Sequence, residues 1–197
     1  MLDLRNIKAH VADFFDSVLR LSNGSDRSGP TFDPLTNLPA RAAVIAEVGR
    51  SLARARRRQP TALVILDFSN TQGLTEPNVP ADRQLQRDLG RVLRAWIPGE
   101  HLVGHLRDRE FAVLLRNLPI SDVEHIVDQV VDNLRADPLL AGRQKYIATI
   151  VGVGFSSRSD CQASQLMSLA DIALYYARAT GRSWHAIVDE VPVTKAA

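Results

Sequence analysis

The chain has 197 residues, of which 45% are hydrophobic and 23% charged, the balance of a globular protein with a filled core rather than of a disordered chain. Its formal net charge of +2 is too small to indicate nucleic-acid binding. The apolar runs fall short of the roughly 20 residues that cross a bilayer, the N-terminus lacks an apolar signal core, and Cys161 is the only cysteine. We therefore expect a cytoplasmic protein that has no disulfide and does not insert into a membrane.

An amphipathic helix is predicted near the N-terminus, because apolar residues recur there at alternating steps of three and four. These residues are Leu4, Ile7, Val11, Phe14, Val18 and Leu21. The spacing suits a coiled-coil stalk that forms a homodimer, and it suits equally a helix packed on its own domain. Asn23-Gly24 ends the helix, and a stretch rich in Ser, Gly and Asp follows up to Pro30. Residues 1–30 are therefore predicted to be an N-terminal helix and a linker.

Helices and strands then alternate around one hairpin. We predict helices at 39–57, 81–96, 121–135 and 162–180, strands at 61–67, 146–155 and 184–188, and a hairpin over 103–115. Helical connections permit parallel neighbours, whereas the hairpin requires one antiparallel pair. The pattern predicts an α/β fold of the α+β sandwich type, with a mixed sheet of about five strands flanked by helices.

The tip of the hairpin is unusual because it carries three charges and no glycine. It reads Arg107, Asp108, Arg109 between two apolar arms. Tight hairpin turns favour glycine or asparagine, whose backbones adopt positive φ at little cost. A reason other than turn formation is therefore needed for these residues.

Four segments resemble the GGDEF domain, the diguanylate cyclase family. They are Asp33-Pro34-Leu35-Thr36-Asn37-Leu38-Pro39-Ala40-Arg41, Leu63-Val64-Ile65-Leu66-Asp67, the hairpin from Leu106 to Leu115, and Ala170-Asp171-Ile172-Ala173-Leu174-Tyr175 with Ala177-Arg178 and Gly181-Arg182. The resemblance covers residues 31 to 189 and leaves 190–197 as a tail. It implies a nucleotidyl-cyclase-like fold and a place in bacterial cyclic di-GMP signalling.

The resemblance also implies a degenerate catalytic site. The family's hairpin reads Gly-Gly-Asp/Glu-Glu-Phe, whereas Arg107, Asp108 and Arg109 stand here in place of the glycines and the first acid, followed by Glu110 and Phe111. The family's glycines leave room for the triphosphate of GTP, and its first acid holds divalent metal together with the aspartate that Asp67 matches. An arginine about 4 Å from a unit positive charge is repelled by about 4 kcal/mol at an effective dielectric of about 20.

Other family positions are replaced or retained individually. Ser69, Gln72 and Thr75 stand where the family has its second aspartate, a lysine and the asparagine that reads guanine. The family's inhibitory Arg-x-x-Asp motif is replaced by Pro98-Gly99-Glu100-His101. Four residues remain as a predicted remnant nucleotide site. They are Asp67, the sole retained candidate metal ligand, Asp82, aligned with a second guanine-reading acid, and Arg178 and Arg182, expected on one helix face like the family's phosphate-holding pair.

We expect an inactive GGDEF-type domain, without catalytic residues, metal or other cofactor, that acts as a regulatory or protein-interaction module. Its expected partners are another protein or an adjoining phosphodiesterase or sensor domain. One alternative is a metal-independent GTP sensor in which Arg109, Arg178 and Arg182 clamp phosphates. A second alternative is an active cyclase with an atypical site that uses magnesium and GTP.

For several charged and polar side chains we expect a structural role or none. Asp67 is expected to pair with Arg109 rather than with a metal. A row of arginines along the second helix of the domain is assigned to solubility in preference to binding an acidic partner. His101 and His105 are given no role, because the histidines lack the spacing of a zinc site.

Overall fold

The computed structural model describes residues 31–54, 60–68, 79–140, 149–158 and 160–189, and of 79–82 only the backbone. The chain divides into two units, residues 1–30 and 31–197, and the described residues all belong to the second. The predicted N-terminal helix, its dimerisation and the C-terminal tail lie outside the described residues. They stay predictions, as do the domain boundaries.

Four α-helices and five strands follow one another in the described part of the chain. The helices are α1 (Arg41–Arg54), α2 (Val79–Trp96), α3 (Ile120–Ala136) and α4 (Ala163–Thr180), with a short 3-10 helix at Pro138–Leu140. The strands are β1 (Thr61–Asp67), β2 (Leu102–Arg107), β3 (Glu110–Arg116), β4 (Ile150–Ser156) and β5 (Trp184–Asp189). No helix of the described residues is long and apolar enough to cross a bilayer.

The five strands form one mixed sheet in the order β2-β3-β1-β4-β5. The pairs β2–β3, β3–β1 and β1–β4 are antiparallel, and β4–β5 is parallel. Helix α4 connects the parallel pair, as a crossover between parallel strands requires. The prediction of a mixed sheet of about five strands flanked by helices is confirmed.

The sheet separates two hydrophobic cores. Strand β1 is buried along its whole length, and its side chains alternate between the two faces. Val64 and Leu66 belong to the core under α2 and α3, whereas Leu63 and Ile65 belong to the core under α1 and α4. The end of this central strand, where Asp67 lies, is thereby fixed from both sides.

Helix α4 lies unusually close to strand β4. A Cβ atom added at Gly152 would overlap the Ala170 carbonyl oxygen and the Leu174 amide nitrogen. Glycine is therefore required at this position by close approach, not by backbone conformation. This contact fixes the distance between α4 and the sheet. It thereby also fixes how far the charged side chains of α4 extend toward the hairpin and toward the end of β1.

Candidate functional site

The hairpin between β2 and β3 is closed by a two-residue turn, Asp108-Arg109. Asp108 has a φ of 39°, which is uncommon for a residue with a side chain. At the base of the turn Arg107 binds Glu110 through two hydrogen bonds, with Nε 2.8 Å from Oε2 and Nη2 3.0 Å from Oε1. Hydrogen bonding to Glu110 raises the pKa of Arg107. One of the three tip charges, Arg107, thus forms a bidentate clamp across the hairpin with Glu110.

A buried histidine, His105, contacts the backbone of the same turn. The Nε2 atom of His105 lies 2.7 Å from the carbonyl oxygen of Asp108, and its Nδ1 atom lies 3.0 Å from Oδ1 of Asp33. The ring is 6% exposed and stacks on Phe111 with centroids 4.7 Å apart. His105 therefore connects the hairpin tip to the first motif of the domain, a role that the sequence analysis did not give it.

Asp33 is the centre of the turn that precedes α1. Its Oδ1 atom accepts hydrogen bonds from the backbone amides of Leu35 and Thr36 and from the Thr36 hydroxyl, at 3.1, 2.7 and 2.8 Å. Burial raises the pKa of Asp33, but the hydrogen bonds from His105 and Thr36 outweigh it, so that this pKa lies below its ordinary value. The carboxylate is held ionised, and this turn is tied to the hairpin.

At the end of the central strand, Arg178 from the last turn of α4 donates a hydrogen bond to Oδ2 of Asp67. Asp67 is 6% exposed, whereas the Arg178 side chain is 53% exposed. The structure thus brings together two of the four residues predicted for the remnant nucleotide site. The backbone carbonyl of Arg109 accepts a hydrogen bond from the Phe68 amide at 3.2 Å, so the hairpin tip lies beside the same strand end. The expected ion pair between Asp67 and Arg109 stays a prediction.

Arg182 does not lie on the helix that carries Arg178, and the prediction of a shared helix face is wrong. Helix α4 ends at Thr180, and Gly181 adopts the left-handed conformation with a φ of 67°. Reversal of the chain at this residue places Arg182 beside an open cavity of about 700 Å³ between α3 and β5. Arg135 and Trp184 line the same cavity.

Asp171 is a further charged residue, and it lies on the face of α4 toward the hairpin. It belongs to the C-terminal motif, but no role was predicted for it. Its Oδ2 atom is buried and has no hydrogen-bond partner among the described residues. Burial, with the nearby charge of Glu110, raises the pKa of Asp171 to about 7, against the opposing effects of Arg41 and Arg107. These four side chains form a cluster, called here the hairpin charge cluster, that joins α1, α4 and the base of the hairpin.

The structure does not describe the side chains at the remaining predicted positions. Asp82 belongs to the first turn of α2, but its side chain lies outside the described residues, as do Ser69, Gln72 and Thr75. Within the described ranges, no three His, Cys, Asp or Glu side chains stand close enough together to hold a metal ion.

Comparison with known proteins identifies the family of this chain. A family model described as "Diguanylate cyclase, GGDEF domain" matches residues 31–184. The chain belongs to the GGDEF family. It therefore carries a domain of cyclic di-GMP signalling proteins, whose members are usually diguanylate cyclases.

Curated relatives of this GGDEF domain are longer proteins. The probable diguanylate cyclase DgcT of Escherichia coli (strain K12) is 24% identical over 164 residues, which cover 81% of this chain and 36% of the relative. The uncharacterized protein y4lL of Sinorhizobium fredii is 26% identical over 151 residues, covering 76% of this chain and 18% of the relative. The chain thus spans about a third or less of these relatives.

Solved structures share the fold of this GGDEF domain. The GGDEF domain of DgcB from Caulobacter crescentus, in complex with c-di-GMP, has a TM-score of 0.67 at 23% identity and covers 82% of this chain and 97% of its own. The diguanylate cyclase SiaD from Pseudomonas aeruginosa, in complex with its activator SiaC, has a TM-score of 0.65 at 24% identity, covering 94% of this chain and 73% of its own. GGDEF domains therefore occur with activator partners and as parts of longer chains.

Proposed function

We propose that this GGDEF domain does not make cyclic di-GMP and acts as a regulatory or protein-interaction module in bacterial cyclic di-GMP signalling. The observation that carries the proposal is the charged hairpin tip, where Arg109 stands in place of the family's first acid and Arg107 is paired with Glu110. Arg178, at a position where the family also has a basic residue, is in addition paired with Asp67. Asp67 holds the position of the family's metal-binding aspartate, and its buried carboxylate is bound by a guanidinium. The side chain that would have to ligate a metal therefore has a cationic partner supplied by the protein itself.

The residues around Asp67 do not fit a divalent cation. A divalent ion on Asp67 about 4 Å from the Arg178 guanidinium would be opposed by about 8 kcal/mol at an effective dielectric of about 20. This figure is an upper bound, because the half-exposed Arg178 side chain is screened by solvent and can turn away. Arg109 then adds a cation at the position of the first acid of the family's hairpin, so that moving Arg178 alone does not create a metal site.

The turn itself also opposes the family's substrate. Glycines in the family's hairpin leave space for the triphosphate, whereas the turn here carries the side chains of Arg107 and Asp108. Glu110, the acid retained in the motif, is bound by Arg107 in the clamp described above. Each carboxylate that the motif retains near the hairpin is thus engaged by an arginine of the same domain.

The proposed context is a larger signalling protein or an adaptor for one. GGDEF homologues occur with adjoining domains or with activator partners, and this chain matches only part of its curated relatives. We propose an adjoining phosphodiesterase or sensor domain, or a separate protein, as the partner. No metal or other cofactor is needed for this role.

Incubation of the purified chain with GTP and magnesium, followed by chromatography of the nucleotides, tests the proposal. We expect no more cyclic di-GMP from the chain than from its Asp67→Ala variant. Arg109→Glu alone should also fail to give turnover, because Arg107 and Asp108 still occupy the path of the phosphates. Synthesis that is lost on Asp67→Ala would overturn the proposal and establish an active cyclase with an atypical metal site.

Calorimetric titration with GTP and with cyclic di-GMP, each with and without magnesium, separates the interaction module from a metal-independent GTP sensor. The proposal expects no GTP binding in the micromolar range. A sensor would bind GTP without magnesium, and Asp67→Asn would tighten that binding, because the substitution releases Arg178 from its carboxylate partner. Asp160→Asn is a matched control, since the Asp160 side chain is 69% exposed and follows the end of β4 that pairs with the start of β1.

A further inference from the structure

Both ring nitrogens of His105 face hydrogen-bond acceptors. Nε2 points to the carbonyl oxygen of Asp108 and Nδ1 to the carboxylate of Asp33, at 2.7 and 3.0 Å. A neutral imidazole carries one N–H group and can satisfy only one acceptor, whereas the imidazolium carries two. In a neutral ring one nitrogen lone pair would face an oxygen lone pair in a buried site, which is unfavourable.

No other arrangement of the neighbouring groups removes this conflict. The Thr36 hydroxyl lies 3.5 Å from Nδ1, but its single hydrogen is donated to Asp33 over the shorter distance of 2.8 Å. Turning the ring over would place carbon atoms where the two nitrogens lie, and would leave both acceptors without a donor. Stacking on Phe111 holds the ring plane in the orientation that serves both acceptors.

We infer that His105 is an imidazolium that latches the hairpin tip to the Asp33 turn, and that loss of its proton releases the tip. In the doubly protonated form the buried ring and the partly buried Asp33 carboxylate are an ion pair of opposite charges. On the hairpin side the ring contacts the carbonyl of Asp108, and on β3 it stacks on Phe111. Arg107 and Glu110 at the base of the turn are paired with each other, and the carboxylate at ion-pair distance from the ring is that of Asp33.

The latch gives a physical reason for a turn without glycine. Asp108 has the positive φ that glycine adopts at least cost, so a residue with a side chain is strained there. A hydrogen bond from a charged donor to the carbonyl of this same residue is stronger than one from a neutral donor. The histidine can therefore offset the strain while it is charged, and the tip becomes sensitive to pH.

His101 provides an internal control. It lies four positions before His105, directly before strand β2. Its Nδ1 accepts a hydrogen bond from the Arg116 backbone amide at 3.4 Å, an interaction that only an unprotonated nitrogen can make. Burial lowers the pKa of His101, the charge of Glu100 raises it to a smaller extent, and the charge of Arg116 lowers it further. At about pH 6.5, the ordinary range of histidine, His101 should therefore be largely neutral while His105 is charged.

The test is nitrogen-15 NMR of the histidine rings in the intact chain, with His101→Gln and His105→Gln used to assign the signals. We expect both nitrogens of His105 to be protonated at about pH 6.5, and His101 to keep one unprotonated nitrogen. An unprotonated nitrogen on His105 at that pH overturns the inference, and this measurement is made on the unaltered protein.

Two further readouts test the latch itself. Asp33→Asn removes the charge that faces Nδ1, so the doubly protonated ring should be less favoured in this variant than in the unaltered chain. Amide hydrogen exchange at the hairpin tip should quicken as His105 loses its proton, and in His105→Gln it should be fast at every pH. Tip exchange that stays unchanged while His105 titrates would overturn the latch. Failure of the proposed function would leave both readouts unaffected, because neither involves nucleotide.

Discussion

The carboxyl group of Asp171 should make the domain less stable as the pH rises, and Asp171→Asn should remove this dependence. In the folded protein the pKa of Asp171 is about 7, against an ordinary value of 3.8. Between these two pH values the folded state keeps the proton and the unfolded state has lost it. Stability is therefore greatest at the low end of the window and falls as the pH rises through it.

The size of the effect follows from the difference between the two pKa values. Each pH unit corresponds to about 1.4 kcal/mol, so the full penalty above pH 7 is about 4 kcal/mol, of which about 3 kcal/mol arises between pH 5 and pH 8. Asparagine does not titrate and escapes this penalty. Its amide adds a roughly constant cost of about 1–3 kcal/mol if the buried Oδ2 position stays without a partner.

Urea unfolding at several pH values, followed by tryptophan fluorescence and circular dichroism, measures the difference between the two proteins. The advantage of Asp171→Asn over the unaltered chain should grow by about 3 kcal/mol from pH 5 to pH 8. Asp132→Asn is the control, because that carboxylate is 76% exposed and should give a nearly constant difference. The depressed pKa of Asp33 costs stability only in more acidic solution, and it affects all three proteins alike. Parallel stability curves for Asp171→Asn and the unaltered chain would refute the reasoning.

Two further substitutions test the packing of α4 and the ion pair that it carries. Gly152→Ala should lower the free energy of unfolding by about 3 kcal/mol, because the added methyl group meets the backbone of α4. The control is Gly99→Ala, which should change the free energy of unfolding little because its added methyl group meets nothing within 4 Å. Equal losses for the two variants in urea unfolding would contradict the close approach of α4 to β4. Arg178→Ala should cost about 1–3 kcal/mol by leaving the buried Asp67 carboxylate without its guanidinium, and the loss should shrink in an Asp67→Asn background. An unchanged loss in that double-mutant cycle would show that Arg178 stabilises the domain in another way.

Local sequence patterns predicted the helices and strands, and the resemblance to the family predicted part of the site. The motifs that match the family at the ends of β1 and α4 placed Asp67 and Arg178 in one region, and the structure joins them directly. Arg182 was misplaced although the sequence contained the reason, since Gly181 is the residue type that ends a helix by adopting positive φ. Spacing along a helix is informative only as far as the helix continues.

The contacts that support the hairpin could not be predicted because they join residues far apart in the chain. Thr36 and His105, 69 positions apart, meet only after the sheet and the first turn have packed together. The spacing of the histidines gave His105 no role, and the two acceptors that its ring faces are a distant carboxylate and a backbone carbonyl. The unpartnered oxygen of Asp171 is likewise a property of packing, which no residue pattern records.

The last turn of α4 has a consequence for communication across the domain. Arg178 grips the central strand, and six positions later Trp184 begins the border strand β5, with Gly181 as the pivot between them. Only residues 179–183 separate Arg178 from β5, so a displacement of the border strand has a short segment in which to be absorbed before it reaches the residue that is bound to Asp67.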